Sequence, residues 1–159
     1  MQIDILCVGK IKEAFYRDAV EEYKKRLSRY CRINVIEVQD EKTPETAGME
    51  EIRQIKEKEG NRLLSKLSDN AYVIALAIEG RSFTSEGLAS ELERLAINGT
   101  SHIQMIIGGS LGLSPEVLSR ADLLLSFSKM TFPHQLMRVI LIEQIYRSYR
   151  IIRKEPYHK

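Results

Sequence analysis

Tyr72-Val-Ile-Ala-Leu-Ala-Ile78 is an almost unbroken apolar run, bounded by Ser68-Asp-Asn70 before it and Glu79-Gly-Arg81 after it. A strand with one wet face alternates apolar and polar residues. A continuous run covered on both faces is the mark of a central strand in a parallel sheet. Parallel strands need long crossovers, usually helices. The run therefore predicts helical patterns on either side of it.

Both sides carry them. Upstream, Ile3–Val8 reads as a strand, Lys10–Tyr30 as a helix and Ile33–Val38 as a second strand. In the first helix Phe15, Ala19, Tyr23, Leu27 and Tyr30 recur every three or four residues. A polar loop over Gln39–Gly48 leads to an amphipathic helix over Met49–Leu67, which Gly60 is expected to weaken or bend. Downstream, Ser85–Ala96 reads as a helix capped by Thr84 or Ser85. Ile103–Ile107 is a strand, and Ser114-Pro115 starts a short helix with Ser capping and Pro first. Ala121–Phe127 is the last strand and Pro133–Arg150 the last helix. This alternation predicts one α/β domain over 1–159, an open, mostly parallel sheet with helices on both faces.

Composition narrows the class. A chain of 159 residues, 43% hydrophobic, suits one core. No apolar run approaches the ~20 residues of a membrane span, and the opening Met1–Gly9 reads as a strand, not a signal peptide. Cys7 and Cys31 form no metal-ligand spacing and fit reduced thiols of a cytoplasmic protein, with no metal expected. Charge is uneven. Residues 129–159 hold seven Lys/Arg and two acids, net +5, against 17 basic and 20 acidic residues, net −3, in the rest. A basic end suggests a polyanionic partner, although a solvated helix face has the same composition.

In open α/β sheets ligands bind beyond the carboxyl ends of the strands, and three such ends stand out. Leu76–Arg81 is one. Gly108-Gly-Ser-Leu-Gly112 exposes main chain but has neither the dinucleotide fingerprint nor a P-loop Lys; a tight strand-to-helix turn is the plain alternative. Leu125-Ser-Phe-Ser-Lys-Met-Thr-Phe-Pro-His134 has no glycine and interleaves apolar side chains with hydroxyls. It suits a flat ring such as adenine, held between apolar walls with its edge read by main chain, or else a buried hairpin that packs the last helix. That helix carries more apolar residues than one core-facing stripe needs, which suggests a second copy of the chain. The tail Arg153–Lys159 is expected to fray unless it closes over a site.

Taken together, Val8-Gly-Lys10, Glu59-Gly60, Ile106–Gly112, Leu125–His134, Arg138–Arg147 and Pro156-Tyr-His-Lys159 closely resemble the ribosomal RNA large-subunit methyltransferase H family of SPOUT enzymes. The resemblance spans the whole chain. It implies a C-terminal trefoil knot, against the general rule that chains do not thread loops, and a cytoplasmic homodimer. It implies methyl transfer from S-adenosylmethionine to N3 of a pseudouridine in 23S rRNA of the assembled ribosome. It places the cofactor against Leu76, Gly108 and Phe127, Ser128, Lys129, Met130, Thr131 and Phe132. It makes Arg147, Tyr157 and His158 candidate catalytic residues, Arg147 favouring the anionic ring and His158 or a water taking its proton. His134, Arg138, Arg150 and Arg153 become candidate substrate contacts. Two other readings are an RNA-binding protein with a vestigial pocket and a nucleotide hydrolase, the latter opposed by the missing Walker Lys.

Overall fold

The computed structural model describes residues 1–159. Five strands and five helices alternate: β1 Gln2–Val8, α1 Ala14–Leu27, β2 Arg32–Val38, α2 Met49–Leu64, β3 Tyr72–Ser82, α3 Ser85–Ile97, β4 His102–Ile107, α4 Pro115–Arg120, β5 Leu123–Ser126 and α5 His134–Ile152. The strands form one sheet in the order β2-β1-β4-β3-β5, every neighbouring pair parallel. Successive side chains of a strand point to opposite faces. Ile3, Ile5 and Cys7 of β1 therefore join a core with Val20 and Leu27 of α1, Leu88, Leu92 and Leu95 of α3, and Leu141, Ile142 and Ile145 of α5. Leu6 and Val8 join a second core with Leu63 of α2 and Val117 of α4. Helices thus cover both faces.

At the amino end of the sheet a polar residue breaks the apolar pattern. Asp4 is buried, and its two register partners, Asn34 on β2 and Gln104 on β4, both donate to it, at 2.8 and 3.1 Å. Gln2 and His102 complete the shell at 3.1 and 2.6 Å. Burial works against the charged carboxylate, but these hydrogen bonds outweigh it and hold Asp4 below its ordinary range.

Three local expectations are corrected. The first helix starts at Ala14, because Gly9 turns the chain at φ +85° and Lys10–Lys12 run as a loop. The N–H of Ile11 donates to Glu37 Oε2 and that of Lys12 to Gln135 Oε1. Phe15 therefore lies outside the core, 65% exposed, and the packed stripe of α1 includes Val20, Tyr23 and Leu27 instead. Gly60 does not interrupt α2, which runs unbroken from Met49 to Leu64. It lets α2 press onto α4: a Cβ there would overlap Ser114 Oγ and crowd Val117 Cγ2 at 3.3 Å. β3 does not stop at Ile78. Leu125 of β5 pairs with Leu76 and again with Arg81, so residues 77–80 bulge out and the strand resumes. Gly80 permits this, because a Cβ would lie 2.7 Å from the Leu124 carbonyl carbon.

Candidate active site

The carboxyl ends of β3, β4 and β5 open into a cleft of about 420 Å³, within the usual range of small-molecule sites. Its walls include Leu76–Glu79 at the bulge of β3, Ile107–Leu113 at the end of β4 and beyond, and Phe127, Ser128, Met130, Thr131 and Phe132 after β5. His134 and Met137 close one side from the first turn of α5, and Lys56 reaches it from α2. The three strand ends singled out in the sequence therefore converge on one cavity.

Each loop has a local reason for its shape. Gly112 sits at φ +86°, a left-handed conformation that only glycine adopts without strain, and its N–H bonds the Gly109 carbonyl at 3.1 Å. A Cβ on Gly108 would meet Gly112 and Leu113 at 3.0 Å, so the turn folds back on itself tightly. Beneath it, Glu59 is buried with Oε1 3.1 Å from where a Gly109 Cβ would stand. Burial raises the Glu59 carboxyl above its ordinary value, although the N–H of Glu41 donates to it at 3.0 Å.

In the segment that ends β5 and follows it, two of the three hydroxyls, those of Ser126 and Ser128, serve the loop itself, while Thr131 lines the cleft. Ser126 Oγ donates to the Ser128 carbonyl at 3.3 Å, and Ser128 Oγ accepts from the Met130 N–H at 3.0 Å. What the loop offers the cleft is apolar surface together with main chain, which fits the adenine end of the expected cofactor. Leu76, Gly108, Phe127, Ser128, Met130, Thr131 and Phe132 all line the cleft. Lys129 does not; it is exposed to solvent.

His134 is half-buried at the start of α5. Burial, then the nearby Arg138 cation, hold its pKa below the ordinary 6.5, so the ring is neutral at neutral pH. Arg138 itself is 1% exposed. Its guanidinium bonds Glu37 at 2.6 Å and the carbonyls of Val8 and Gly9 at 3.1 and 2.7 Å. It joins α5 to the ends of β1 and β2 and is enclosed, its guanidinium taken up by acceptors of the chain itself.

The remaining candidates form a second cluster. α5 ends in a Schellman turn: Lys154 adopts φ 54°, its N–H bonds Ile151 and that of Glu155 bonds Arg150. The tail is then pinned rather than frayed. Arg150 donates to Glu155 at 2.6 Å, the Pro156 carbonyl at 2.7 Å and Tyr30 Oη at 3.1 Å. It is consumed in holding the tail, whereas Arg153 is exposed over the Tyr30 ring. Tyr157 packs edge-on against Tyr146 and donates to Glu143 Oε1 at 3.0 Å. Arg147 bonds the same oxygen at 2.5 Å, lies over the Tyr157 ring and reaches His158 Nδ1 at 3.1 Å. His158 Nε2 faces Glu86 at the start of α3, 2.7 Å away. Burial, then bonds to Tyr23 and Glu143, raise the Tyr157 pKa, so it remains a phenol.

Arg147, Tyr157 and His158 thus meet one another but not the cleft. Arg147 lies thirteen steps along α5 from His134, roughly 20 Å at 1.5 Å per residue. Sequence reasoning missed Glu143 and Glu86. Glu143 had a signal, its i,i+4 spacing to Arg147; Glu86 had none. No helix is long and apolar enough to cross a membrane, and no group of three or more His, Cys, Asp or Glu is placed to hold a metal ion.

Comparison with known proteins bears on this architecture. The family model described as "Predicted SPOUT methyltransferase" matches residues 1–158. Over all 159 residues, and the full length of each relative, the chain is similar to proteins named ribosomal RNA large subunit methyltransferase H. These are 63% identical in Bifidobacterium adolescentis, 61% in Shouchella clausii and 58% in Clostridium botulinum. Among solved structures it is similar to a Legionella pneumophila protein described as a methyltransferase, in complex with the bound cofactor SAM. The TM-score is 0.50 at 10% identity, over 94% of this chain and 66% of that one. At that identity the likeness concerns the fold alone.

Proposed function

The chain belongs to the SPOUT methyltransferase family, and from that premise we propose that it transfers the methyl group of S-adenosylmethionine to N3 of a pseudouridine in 23S rRNA of the assembled ribosome, in the cytoplasm. Methylation of large-subunit rRNA is what the full-length relatives are named for. The observation that carries the reading to this chain is the cleft where three strand ends converge, apolar where an adenine would lie and lined by main chain at Gly108–Gly112.

When bound, the cofactor supplies a sulfonium-activated methyl, so the protein's share of the work is alignment, exclusion of water and handling of one proton. Phe127, Phe132 and Leu76 give the cleft apolar walls that exclude water, with Met130 at its mouth. The nucleophile is an imide nitrogen that must lose its proton. Neutral His134, at the cleft wall, is placed to accept it. Cationic Arg147 favours the anionic ring, and the separation of about 20 Å within one chain supports a homodimer in which the second copy's tail cluster faces the cleft. Half-exposed Leu136, Val139 and Ile140 on α5, with Ile78 and Met130 at the cleft mouth, supply apolar surface for that contact. A trefoil knot belongs to the same proposal, as the family resemblance implies it.

The test is methyl transfer from labelled S-adenosylmethionine to intact ribosomes, separated subunits and free rRNA. Label in 23S rRNA of intact ribosomes, mapped by mass spectrometry to N3 of one pseudouridine, is the expected result. Label confined to free rRNA, or to another atom, overturns the specific reading.

A further inference from the structure

We infer that Lys56 is the anion anchor of the cleft and receives the α-carboxylate at the amino-acid end of S-adenosylmethionine. The inference rests on the cofactor reading above and assigns one end of the ligand to one side chain.

α2 carries four cations, and three have partners. Arg53 bonds Glu50 and Glu57 at 2.6 and 2.7 Å, Lys58 reaches Glu41 at 4.0 Å, and Arg62 bonds Glu41 at 3.0 Å. Lys56 pairs with no carboxylate, yet it is half-buried and lines the cleft. A cation partly withdrawn from water loses hydration that only an anion or strong acceptor restores. Within the cleft the other charged residue is the exposed Glu79, and His134 is neutral. Lys56 is therefore the one cationic side chain in the cleft's lining, and it reaches the cleft from α2.

The chemistry of the ligand settles which end meets it. The adenosine half carries no anion. The amino-acid half carries one, its carboxylate, and a lysine ammonium gives it a charge-assisted hydrogen bond. An rRNA phosphate is the less suitable occupant. On its outer side Lys56 borders a depression that also contains Glu57 and Glu116, and whose Arg53 is already paired. Phosphates arriving there would meet Glu57 and Glu116, whereas a carboxylate arriving within the cleft would meet a single acid, the exposed Glu79 on the β3 wall.

The experiment is calorimetric titration of wild type, Lys56→Gln and Lys56→Arg with S-adenosylmethionine and with methylthioadenosine, which lacks the amino-acid half. Lys56→Gln should weaken S-adenosylmethionine roughly 10-fold, as loss of a charged hydrogen bond does, and leave methylthioadenosine unchanged. Lys56→Arg should keep most of the affinity. The unchanged methylthioadenosine affinity also reports an intact cleft. Equal S-adenosylmethionine affinity in wild type and Lys56→Gln overturns the anchor, as does an equal loss for both ligands. A wild-type protein that binds neither ligand overturns the cofactor reading and the anchor together, so the two failures are distinct.

Discussion

Arg147 donates to His158 Nδ1 at 3.1 Å, which places the imidazole proton on Nε2, facing Glu86 Oε1 at 2.7 Å. A guanidinium has no acceptor, so the lone pair of Nδ1 is the only partner that contact admits. Both ring nitrogens are then engaged. His158 is a positioning residue in this arrangement, and it reaches a base role only if Arg147 moves away.

Arg147 itself also holds Glu143, which in turn holds Tyr157. Arg147→Ala should cut methyl transfer by ~10²-fold or more, as loss of a preorganised charge stabiliser does, with little change in cofactor Kd. Arg147→Lys should not rescue, because an ammonium cannot span Glu143 and His158 as the planar fork does. Single-turnover rates beside calorimetric affinities check both statements; near-normal turnover in Arg147→Ala would remove the residue from the chemistry.

Arg138 tests a different consequence of burial. Its removal leaves the carbonyls of Val8 and Gly9 and the Glu37 carboxylate without their donor. Arg138→Met should destabilise the fold by about 3 kcal/mol, read from urea unfolding. The salt dependence of ribosome binding should stay as in wild type, because an enclosed guanidinium neutralises no phosphate. A flatter salt slope in the folded variant would show that Arg138 does reach RNA.

Arg138 and Arg150 show where the sequence is legible and where it stops. The apolar run at 72–78, the Gly108 pair and the loop 125–134 identify the sheet and its cleft, because periodicity and turn chemistry are local. Arg138 and Arg150 look alike on paper, two cations in a basic C-terminal fifth. One is buried by carbonyls some 130 residues earlier in the chain and the other is folded onto its own tail. No local pattern encodes either fate. The continuation of β3 past Glu79-Gly80-Arg81 is hidden for the same reason, since Gly80 acts through Leu124 on another strand.

His134 gives the fold a pH dependence of known sign. Its folded-state pKa lies below the ordinary 6.5, with burial the main cause, Arg138 and Lys12 acting in the same direction and Asp40 opposing. The unfolded chain therefore binds the proton more readily. The contribution is fully present above pH 6.5 and is lost as pH falls through the folded-state value. Wild type should lose more unfolding free energy between about pH 7.5 and about pH 5.5 than His134→Asn does. Parallel urea curves at the two pH values decide it; identical losses would mean that His134 titrates alike in both states.

Gly60→Ala separates helix propensity from packing, because the two give opposite signs. In an exposed helix the change stabilises by ~1 kcal/mol. Here residue 60 is buried, and the added methyl would overlap Ser114 Oγ and press Ser114 Cβ at 3.1 Å. Ser114 cannot easily yield, because its hydroxyl caps α4 by accepting from the Val117 N–H at 3.3 Å. Displacing it costs the cap as well as the overpacking. Gly60→Ala should therefore destabilise by ~1–3 kcal/mol, and Ser114→Gly in the same chain should recover part of that loss by removing the obstructing side chain. The neighbouring Gly108–Leu113 turn leads straight into Ser114, so the single variant should also weaken S-adenosylmethionine binding. A Gly60→Ala protein more stable than wild type would show that α2 and α4 are not pressed together at this point.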